Sequence, residues 1–593
     1  MGTVEDRIRA LGNRDSLFRE LGVDRVTVAV SGVTILALVA RLFALGDRVA
    51  HWDEARVAYW ILEFAATGNY EYRPIIHGPF YHHVNRLLFD LLGAGDGTMR
   101  LAAAVVGGLV PLAALALRHR LRAVETVALA LFLAANPILL YYSRFMRGDP
   151  IVAFGMFGAF ALFVRAIDTG SRGSFFAGVA LLSVAFTAKE NALLYVVTWV
   201  GATALLLDHR LFRARDRDHE WTAVLGSYAR RGWNGALAWL PSLLVGAVEF
   251  LAVIVFFYAP RAASEDGPGL RKAVGEPAMI PAVIREATIG TWSEFYSLWV
   301  SGGHQDHAYL PYLADFLVTL RYGALALCLF AVVGFLVDRY AEEGPRDLVS
   351  FAFYWGFVSV LGYPIITDIK APWATMHAIV PLAVPAAVGV GLIYRWGREG
   401  LAADDWISVG MAVLLLLVAA GQVGGMAVHT SYLEPQADGN DVVQYAQPAD
   451  DIDPAVRQMA AAAADERAGA DVLLYGEFFV DGDATATREP ACAKWFNALP
   501  LPWYFSLHDV EVTCAKGQSQ LSSMAAGGEI PPVVIVRSSQ ESVVSAQVDY
   551  ESTTYKLRRY GTETTVFVAP EYADAGDAAR QGSAGDGNAR VSR

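Results

Sequence analysis

Four short stretches of this 593-residue chain collect the side chains that do chemistry. The first begins His51-Trp52-Asp53-Glu54 and resumes, after an amphipathic run, as Tyr70-Glu71-Tyr72-Arg73-Pro74-Ile75-Ile76-His77-Gly78-Pro79-Phe80-Tyr81-His82-His83. The second is Tyr141-Tyr142-Ser143-Arg144-Phe145-Met146-Arg147-Gly148-Asp149, and the third is Thr187-Ala188-Lys189-Glu190-Asn191. The fourth is Thr367-Asp368-Ile369-Lys370-Ala371-Pro372-Trp373, with His377 close behind. Carboxylates accept protons and cationic side chains hold anions. Each stretch has a plainer reading too. Asp53-Glu54 suits a solvated helix end. Arg144 and Arg147 suit anchors that reach lipid headgroups. Lys189-Glu190 suits an ordinary ion pair, and His77, His82 and His83 suit interfacial polar residues. A fifth stretch, His304-Gln305-Asp306-His307, looks like a metal-ligand pair, but two histidines three apart are weak grounds and no structural metal is expected there.

The elements that must position these residues are apolar. The chain is 54% hydrophobic, with mean hydropathy +0.35, and its apolar residues come in runs near the length that crosses a bilayer as a helix. The expected spans are 26–45, 98–117, 124–142, 149–167, 174–188, 191–207, 236–258, 311–337, 349–366, 374–394 and 406–428. The fold class is therefore a polytopic α-helical membrane protein of about eleven transmembrane helices. The net charge is −13 without a basic stripe, which argues against a nucleic-acid partner. Three cysteines make no disulfide scaffold. A polar segment over 1–25 precedes the first run, so the start does not read as a cleavable signal. Its Arg7, Arg9, Arg14, Arg19 and Arg25, set among Val4, Ile8, Leu11, Leu17, Phe18 and Leu21, suit an amphipathic helix on the membrane. A solvated tail is the alternative.

Basic residues in short loops set the orientation. With the amino terminus cytoplasmic, the inner loops carry Arg118, Arg120, Arg122, Arg165, Arg172, Arg210, Arg213, Arg215, Arg217, Arg230, Arg231, Arg339, Arg346, Arg395 and Arg398. All four chemistry-bearing stretches then fall on the outer side, and that coincidence favours a site over four unrelated decorations. The membrane domain is expected over 26–430, with outer loops at 46–97 and 259–310. The second loop is long, and its Thr291-Trp292-Ser293-Glu294-Phe295-Tyr296 suits an ordered segment resting on the membrane. A soluble extracytoplasmic α/β domain is expected over 431–572, with strands near Asp471–Tyr475, Trp503–Leu507, Val510–Thr513, Pro532–Val536, Thr553–Arg558 and Thr564–Val568. Cys492 and Cys514 both fall in it, so they could form a disulfide, whereas Cys328 lies in a span and reads as packing. A Gly-, Ala- and Asp-rich tail over 573–593 is expected to be disordered.

The motif order carries a family resemblance. It runs span, Asp-Glu loop, aromatic-Arg-Pro-x-x-His-Gly-Pro-Phe, span pair, Ser-Arg-x-x-Arg-x-Asp, then Lys-Glu after the fifth span. It resembles the polytopic glycosyltransferases of the GT-C class, of the protein O-mannosyltransferase and lipid A aminoarabinose transferase types. His-Trp-Asp-Glu with His-Gly-Pro-Phe is most similar to an archaeal branch described as flippase-activity-associated proteins. The resemblance covers about residues 20–430. One departure is that the bacterial transferases carry Lys-Pro-Pro-Leu where this chain has His77-Gly78-Pro79-Phe80. The lysine there is thought to meet the donor phosphate, so the role of His77 stays open.

The resemblance implies a GT-C-like architecture and an enzyme that takes a sugar from a polyprenyl (dolichyl) phosphate in the outer leaflet. The sugar goes to a glycan, lipid or protein acceptor. A phosphate leaving group calls for cations, for which the candidates are Arg144, Arg147, Lys189 and Lys370, with Arg73 and His77 next. Glu190 and Trp373 complete the expected substrate-binding set. Asp53 is the first candidate for general base and Glu54 the second. Asp149 would orient the base or, with Asp53, hold a divalent metal ion, the one cofactor considered and an optional one. No dinucleotide or phosphate-loop pattern occurs. The rival implication is a non-catalytic protein that binds a polyprenyl-phosphate sugar and assists its flipping. A solute transporter fits less well, because neither an inverted repeat nor matched broken helices are visible.

Overall fold

The computed structural model describes residues 24–74, 77–216, 221–261, 267–300, 308–342, 345–367, 369, 371–465, 467–481 and 487–576. Most of the 1–25 segment and the 573–593 tail lie outside the described residues, as do Asp368, Lys370 and the stretch His304–His307. The chain divides into two compact units. One comprises Met1–Phe43, Asn69–Tyr81 and Leu101–Leu433; the other comprises Ala44–Gly68, His82–Arg100 and Glu434–Arg593. The segment expected as an outer loop over 46–97 is thus largely built structure. It holds the helices Trp52–Thr67 and Phe80–Leu92, and much of it belongs with the carboxy-terminal unit.

Among the described residues, nine helices are long and apolar enough to cross a membrane, and shorter apolar helices occur at Ala123–Ala135 and Arg172–Ala188. The first span, Arg25–Leu42, starts where Asp24 accepts hydrogen bonds from the amides of Val26 (2.9 Å) and Thr27 (3.0 Å), the usual Asp N-cap. The run expected over 124–142 is broken. Its first part ends at Ala135, and a separate helix, Pro137–Tyr142, begins behind Asn136. Pro137 cannot continue a helix hydrogen-bond ladder but suits a first turn. The Asn136 side chain caps that turn at Ile138 N (3.1 Å) and Leu139 N (3.2 Å). The break delivers Tyr141–Arg147 as a compact, buried turn.

The helix Gly148–Thr169 gives the membrane unit its scale. At about 1.5 Å per residue its 22 residues span about 33 Å, close to a bilayer's hydrocarbon thickness. At its carboxy-terminal end Asp168 accepts from Arg120 (2.6 Å). The Arg346 guanidinium reaches the Arg120 carbonyl (3.5 Å), Glu125 (2.7 Å) and Asp338 (2.5 Å), and Arg395 reaches Glu125 (3.3 Å). Arg120, Arg346 and Arg395, three of the arginines expected in inner loops, therefore meet at one end of this unit, whereas Arg230 and Arg231 lie inside the helix Trp221–Tyr258. Asp149 stands at the other end of the same helix. The described part of the 259–310 connection is mostly short helical turns, with Val283 and Ala287 buried.

The second unit carries a five-stranded sheet in the order β2-β1-β3-β5-β4. The strands are β1 (Val472–Tyr475), β2 (Val512–Ala515), β3 (Val533–Arg537), β4 (Glu551–Arg558) and β5 (Gly561–Val568). β1 pairs in parallel with β2 and β3, in register Val472↔Val512 and Val472↔Val533. β5 runs antiparallel to both β3 and β4. Val472–Tyr475 and Val533–Val536 are buried throughout, as central parallel strands covered on both faces must be. Leu473, Tyr475, Val534, Val536, Leu521, Val544 and Phe567 form a core there. The Cys492–Cys514 disulfide is formed. One expected strand, Trp503–Leu507, is instead part of the helix Leu501–Leu507. Pro500 at its cap and Pro502 in its first turn suit a helix start, and a short apolar run carries no period to distinguish the two.

Candidate active site

In the membrane unit several of the expected site residues gather around Asp149, which is 1% exposed. It lies in the first turn of Gly148–Thr169, where the helix dipole favours a carboxylate. Lys189 donates from Nζ to both of its oxygens (3.1 Å each) and Arg147 from Nε to Oδ2 (3.1 Å). Asn191 Nδ2 lies 3.3 Å from Oδ1, and His377 Nε2 is also 3.3 Å from it. The His377 ring is fixed on its other side by the Tyr195 hydroxyl, 2.7 Å from Nδ1, and stacks on Tyr363 at 4.6 Å between centroids. The Arg147 guanidinium lies 3.5 Å from the centre of the Trp373 ring, a strong cation–π distance. Lys189 keeps 21% of its side chain exposed, whereas Arg147 keeps 5%. The set therefore holds two cations around one carboxylate, with the ammonium at its open edge.

Three loops meet closely to build this cluster. The Gly78 amide donates to the Ala188 carbonyl (2.9 Å), the Gly148 amide to His77 Nδ1 (3.3 Å), and the Tyr81 hydroxyl to the Arg147 carbonyl (2.7 Å). A Cβ on Gly78 would stand 2.3 Å from the Thr187 carbonyl oxygen, and one on Gly148 would stand 2.5 Å from that of Ala188. The glycines in His-Gly-Pro-Phe and Arg-Gly-Asp are thus demanded by backbone contact. The Lys-Glu dipeptide faces two ways. Lys189 points to Asp149, while Glu190 accepts from the hydroxyls of Tyr72 and Tyr258 (3.4 Å for the latter). Burial raises the pKa of the Glu190 carboxyl.

Other expected anion ligands stand elsewhere. The Arg144 guanidinium donates to the carbonyls of Ala40 (3.2 Å), Arg41 (3.0 Å) and Phe43 (2.5 Å), and lies over the Tyr432 ring. It closes the carboxy-terminal end of Arg25–Leu42. Arg73 is exposed, in the field of Glu294. Lys370 lies outside the described residues.

The second unit holds the Asp53-Glu54 pair in the first turn of Trp52–Thr67, and its two carboxylates differ sharply. Glu54 is fully buried. It receives Arg48 (3.1 and 2.9 Å), Arg100 (3.0 and 2.9 Å) and the His51 amide (3.0 Å). Burial alone would raise its pKa, but Arg100 and Arg48 outweigh that and hold it well below the ordinary range. Asp53 keeps 13% of its side chain exposed, with His51 Nδ1 3.8 Å from Oδ2. The His51 ring also caps the helix by accepting from the Asp53 amide (2.9 Å), and its Nε2 meets Gln444. Arg48 further bonds Gln447 (2.6 Å), and Asp96 accepts from Trp503 and Tyr504 (2.8 Å each). Sequence reasoning passed over Arg48, Arg100 and the role of His377. Arg100 carried one signal, a charge at the head of an apolar run.

The comparisons with known proteins match both halves of this description. Residues 76–227 match the family described as dolichyl-phosphate-mannose-protein mannosyltransferase. Residues 452–569 match the Agl23 flippase-associated protein C-terminal domain. The chain thus matches a mannosyltransferase family in one segment and the Agl23 branch in another. The fold is similar to that of ArnT from Cupriavidus metallidurans in the apo state. The TM-score is 0.52 at 15% identity, covering 93% of this chain and 99% of that one. ArnT from the same organism bound to undecaprenyl phosphate gives 0.52 at 16%, covering 92% and 99%. No curated protein matches the chain. The chain is thus a multi-pass membrane protein with a GT-C fold and a carboxy-terminal sheet-containing domain.

Proposed function

We propose that this chain moves a sugar from a polyprenyl phosphate donor to a hydroxyl acceptor at the outer membrane face, in surface glycan or glycoprotein assembly. The observation that carries the reading is the Asp149 cluster, in which Lys189 and Arg147 are pre-set around one buried carboxylate. Among the described residues two cations face this one carboxylate, and cations so placed suit the charge of a phosphate. Support also comes from relatives. The family matched over 76–227 is described by a dolichyl-phosphate-mannose donor, and the ArnT of similar fold binds undecaprenyl phosphate.

In this reading a carboxylate takes the acceptor hydroxyl's proton as its oxygen attacks the anomeric carbon, and Asp53 is the candidate for that base by the family resemblance. The bond from that carbon to the phosphate oxygen breaks, and Lys189 and Arg147 meet the charge that the phosphate gains. Glu54 acts through Arg48, Arg100 and the His51 amide, fixing the helix start that carries Asp53. The residues do not suit a divalent ion at Asp149, because Lys189, Arg147 and His377 already crowd its oxygens. Among the described residues no three His, Cys, Asp or Glu side chains gather into a metal-binding group. No step is therefore routed through a metal. The amino terminus is read as cytoplasmic and the carboxy-terminal unit as outside, since the arginine-rich end of the membrane unit lies opposite Asp149.

The test is transfer from a radiolabelled polyprenyl-phosphate sugar by the purified chain, beside Asp53→Asn and Lys189→Ala. Asp53→Asn should abolish transfer and keep donor binding; full activity in that variant would sink the base assignment. Lys189→Ala should weaken donor binding. The flippase-associated description of the 452–569 domain favours a second reading, binding that assists lipid-linked sugar flipping. Tight donor binding with no transfer from any acceptor would select it.

A further inference from the structure

Next to Asp53, within the second unit, lies a group of side chains that the proposed reaction leaves unused. Trp52 and Phe496 stack at 6.0 Å between centroids, tied by a 3.0 Å hydrogen bond from the Trp52 indole to the Phe496 carbonyl. The guanidinium of Arg56 lies 4.9 Å from the Phe496 centroid and 5.5 Å from that of Trp52. Arg488 comes from a different part of the chain and lies 4.7 Å from the Phe496 centroid and 5.6 Å from that of Trp495. A third arginine, Arg558, donates to the Phe496 carbonyl (3.0 Å). Among the described residues neither Arg56 nor Arg488 makes a hydrogen bond or an ion pair. Both are half-buried and Phe496 is 39% exposed. Burial lowers the Arg56 pKa, with Asp53 working against that effect and Arg488 adding to it. Two guanidinium groups gathered at one aromatic ring, each within reach of the other's charge, are an arrangement that an anion would relieve.

We infer that this aromatic–arginine platform binds the acceptor, and that the acceptor carries a carboxylate on a sugar ring, as a hexuronate does. The inference rests on the reading of Asp53 as the base. Arg56 follows Asp53 by three residues on one helix, so the two share a face with Cβ atoms roughly 5–6 Å apart. A ligand that satisfies both must place an anionic group and a hydroxyl about one ring-width apart. A hexuronate does so rigidly, with its carboxylate on the ring that bears the hydroxyls. Its apolar ring face also suits the exposed aromatic edges. An acidic peptide could supply the same charges, but only by freezing several side-chain and backbone torsions.

The experiment titrates the full-length chain, in detergent and without donor lipid, with three probes by calorimetry. The probes are a trimeric oligogalacturonate, the same trimer with its carboxyls reduced to alcohols, and a glutamate-rich serine peptide of equal charge. The oligogalacturonate should bind at least tenfold more tightly than its neutral counterpart, and Arg56→Gln or Arg488→Gln should each weaken it about tenfold, the size of one lost charge-assisted bond. Both variants should keep wild-type donor-lipid binding, and lysine at either position should restore part of the affinity. Asp53→Asn should still bind the oligogalacturonate, so a failed base assignment would leave this result intact. Equal binding of acidic and neutral trimers by the wild-type chain would overturn the inference, even if a variant failed to fold. So would preference for the peptide, or unchanged affinity in folded Arg56→Gln and Arg488→Gln.

Discussion

Glu54→Gln should unfold the second unit at lower temperature, whereas Asp53→Asn, one residue away, should barely move it. Glu54 has no exposure and takes four hydrogen bonds from Arg48 and Arg100, plus one from the His51 amide. Glutamine preserves the volume but removes the charge and turns one acceptor into a donor facing a guanidinium. Removing one partner of a buried ion pair costs about 3–5 kcal/mol, because the other charge stays buried. On a unit of this size that is on the order of 10 °C in melting temperature. Asp53 is partly exposed, and its isosteric amide should cost less than about 1 kcal/mol. The assay is tryptophan-emission melting of wild type and both variants in one detergent, followed by transfer measurements below the lowest transition. The pH sign follows from the depressed folded pKa of Glu54. Its stabilisation is complete above the ordinary glutamate value of about 4.3 and is lost as pH falls through the lower folded value. The gap between wild type and Glu54→Gln should therefore hold at neutral pH and narrow only in strong acid. Equal melting of Glu54→Gln and wild type would refute the reasoning, as would a large melting loss in Asp53→Asn.

Further outcomes follow from other contacts. Gly78→Ala should destabilise the membrane unit by about 1–3 kcal/mol and reduce donor binding, since its Cβ would stand 2.3 Å from the Thr187 carbonyl oxygen; thermal melting and lipid binding would both show it. Arg144→Ala should lower melting temperature more than it weakens donor binding, because its guanidinium caps a helix end. Reducing the Cys492–Cys514 bond, which closes 22 residues, should cost about 3 kcal/mol, seen as earlier melting in reductant. Burial, with Asp451 and Asp96 nearby, raises Asp453 from 3.8 to about 7. Its stabilising contribution is present below 3.8 and lost as pH rises through about 7, so Asp453→Asn should melt higher than wild type at pH above about 7 and alike in acid.

The sequence by itself determined the membrane-spanning character, the positions of the apolar helices, and most strands of the carboxy-terminal sheet. These follow from local pattern, because a helix satisfies its backbone within its own segment and must carry apolar side chains to lie in lipid. It also brought forward Asp53, Asp149, Arg147 and Lys189, since charges beside apolar runs stand out. Tertiary structure decided what each charge does. Asp53 and Glu54 are neighbours of like chemistry, and Arg100, forty-six residues away, joins Arg48 on Glu54 alone, which separates a clamped carboxylate from a partly open one. Arg144 and Arg147 sit in one motif, yet one reaches the carbonyls closing the first span and the other reaches Asp149 and Trp373. Trp503–Leu507 reads as a strand by local pattern but is helical, and its first two residues, Trp503 and Tyr504, both donate to Asp96, far back in the chain. Most of these outcomes rest on partners distant in sequence, and a local pattern carries no information about which distant group will arrive.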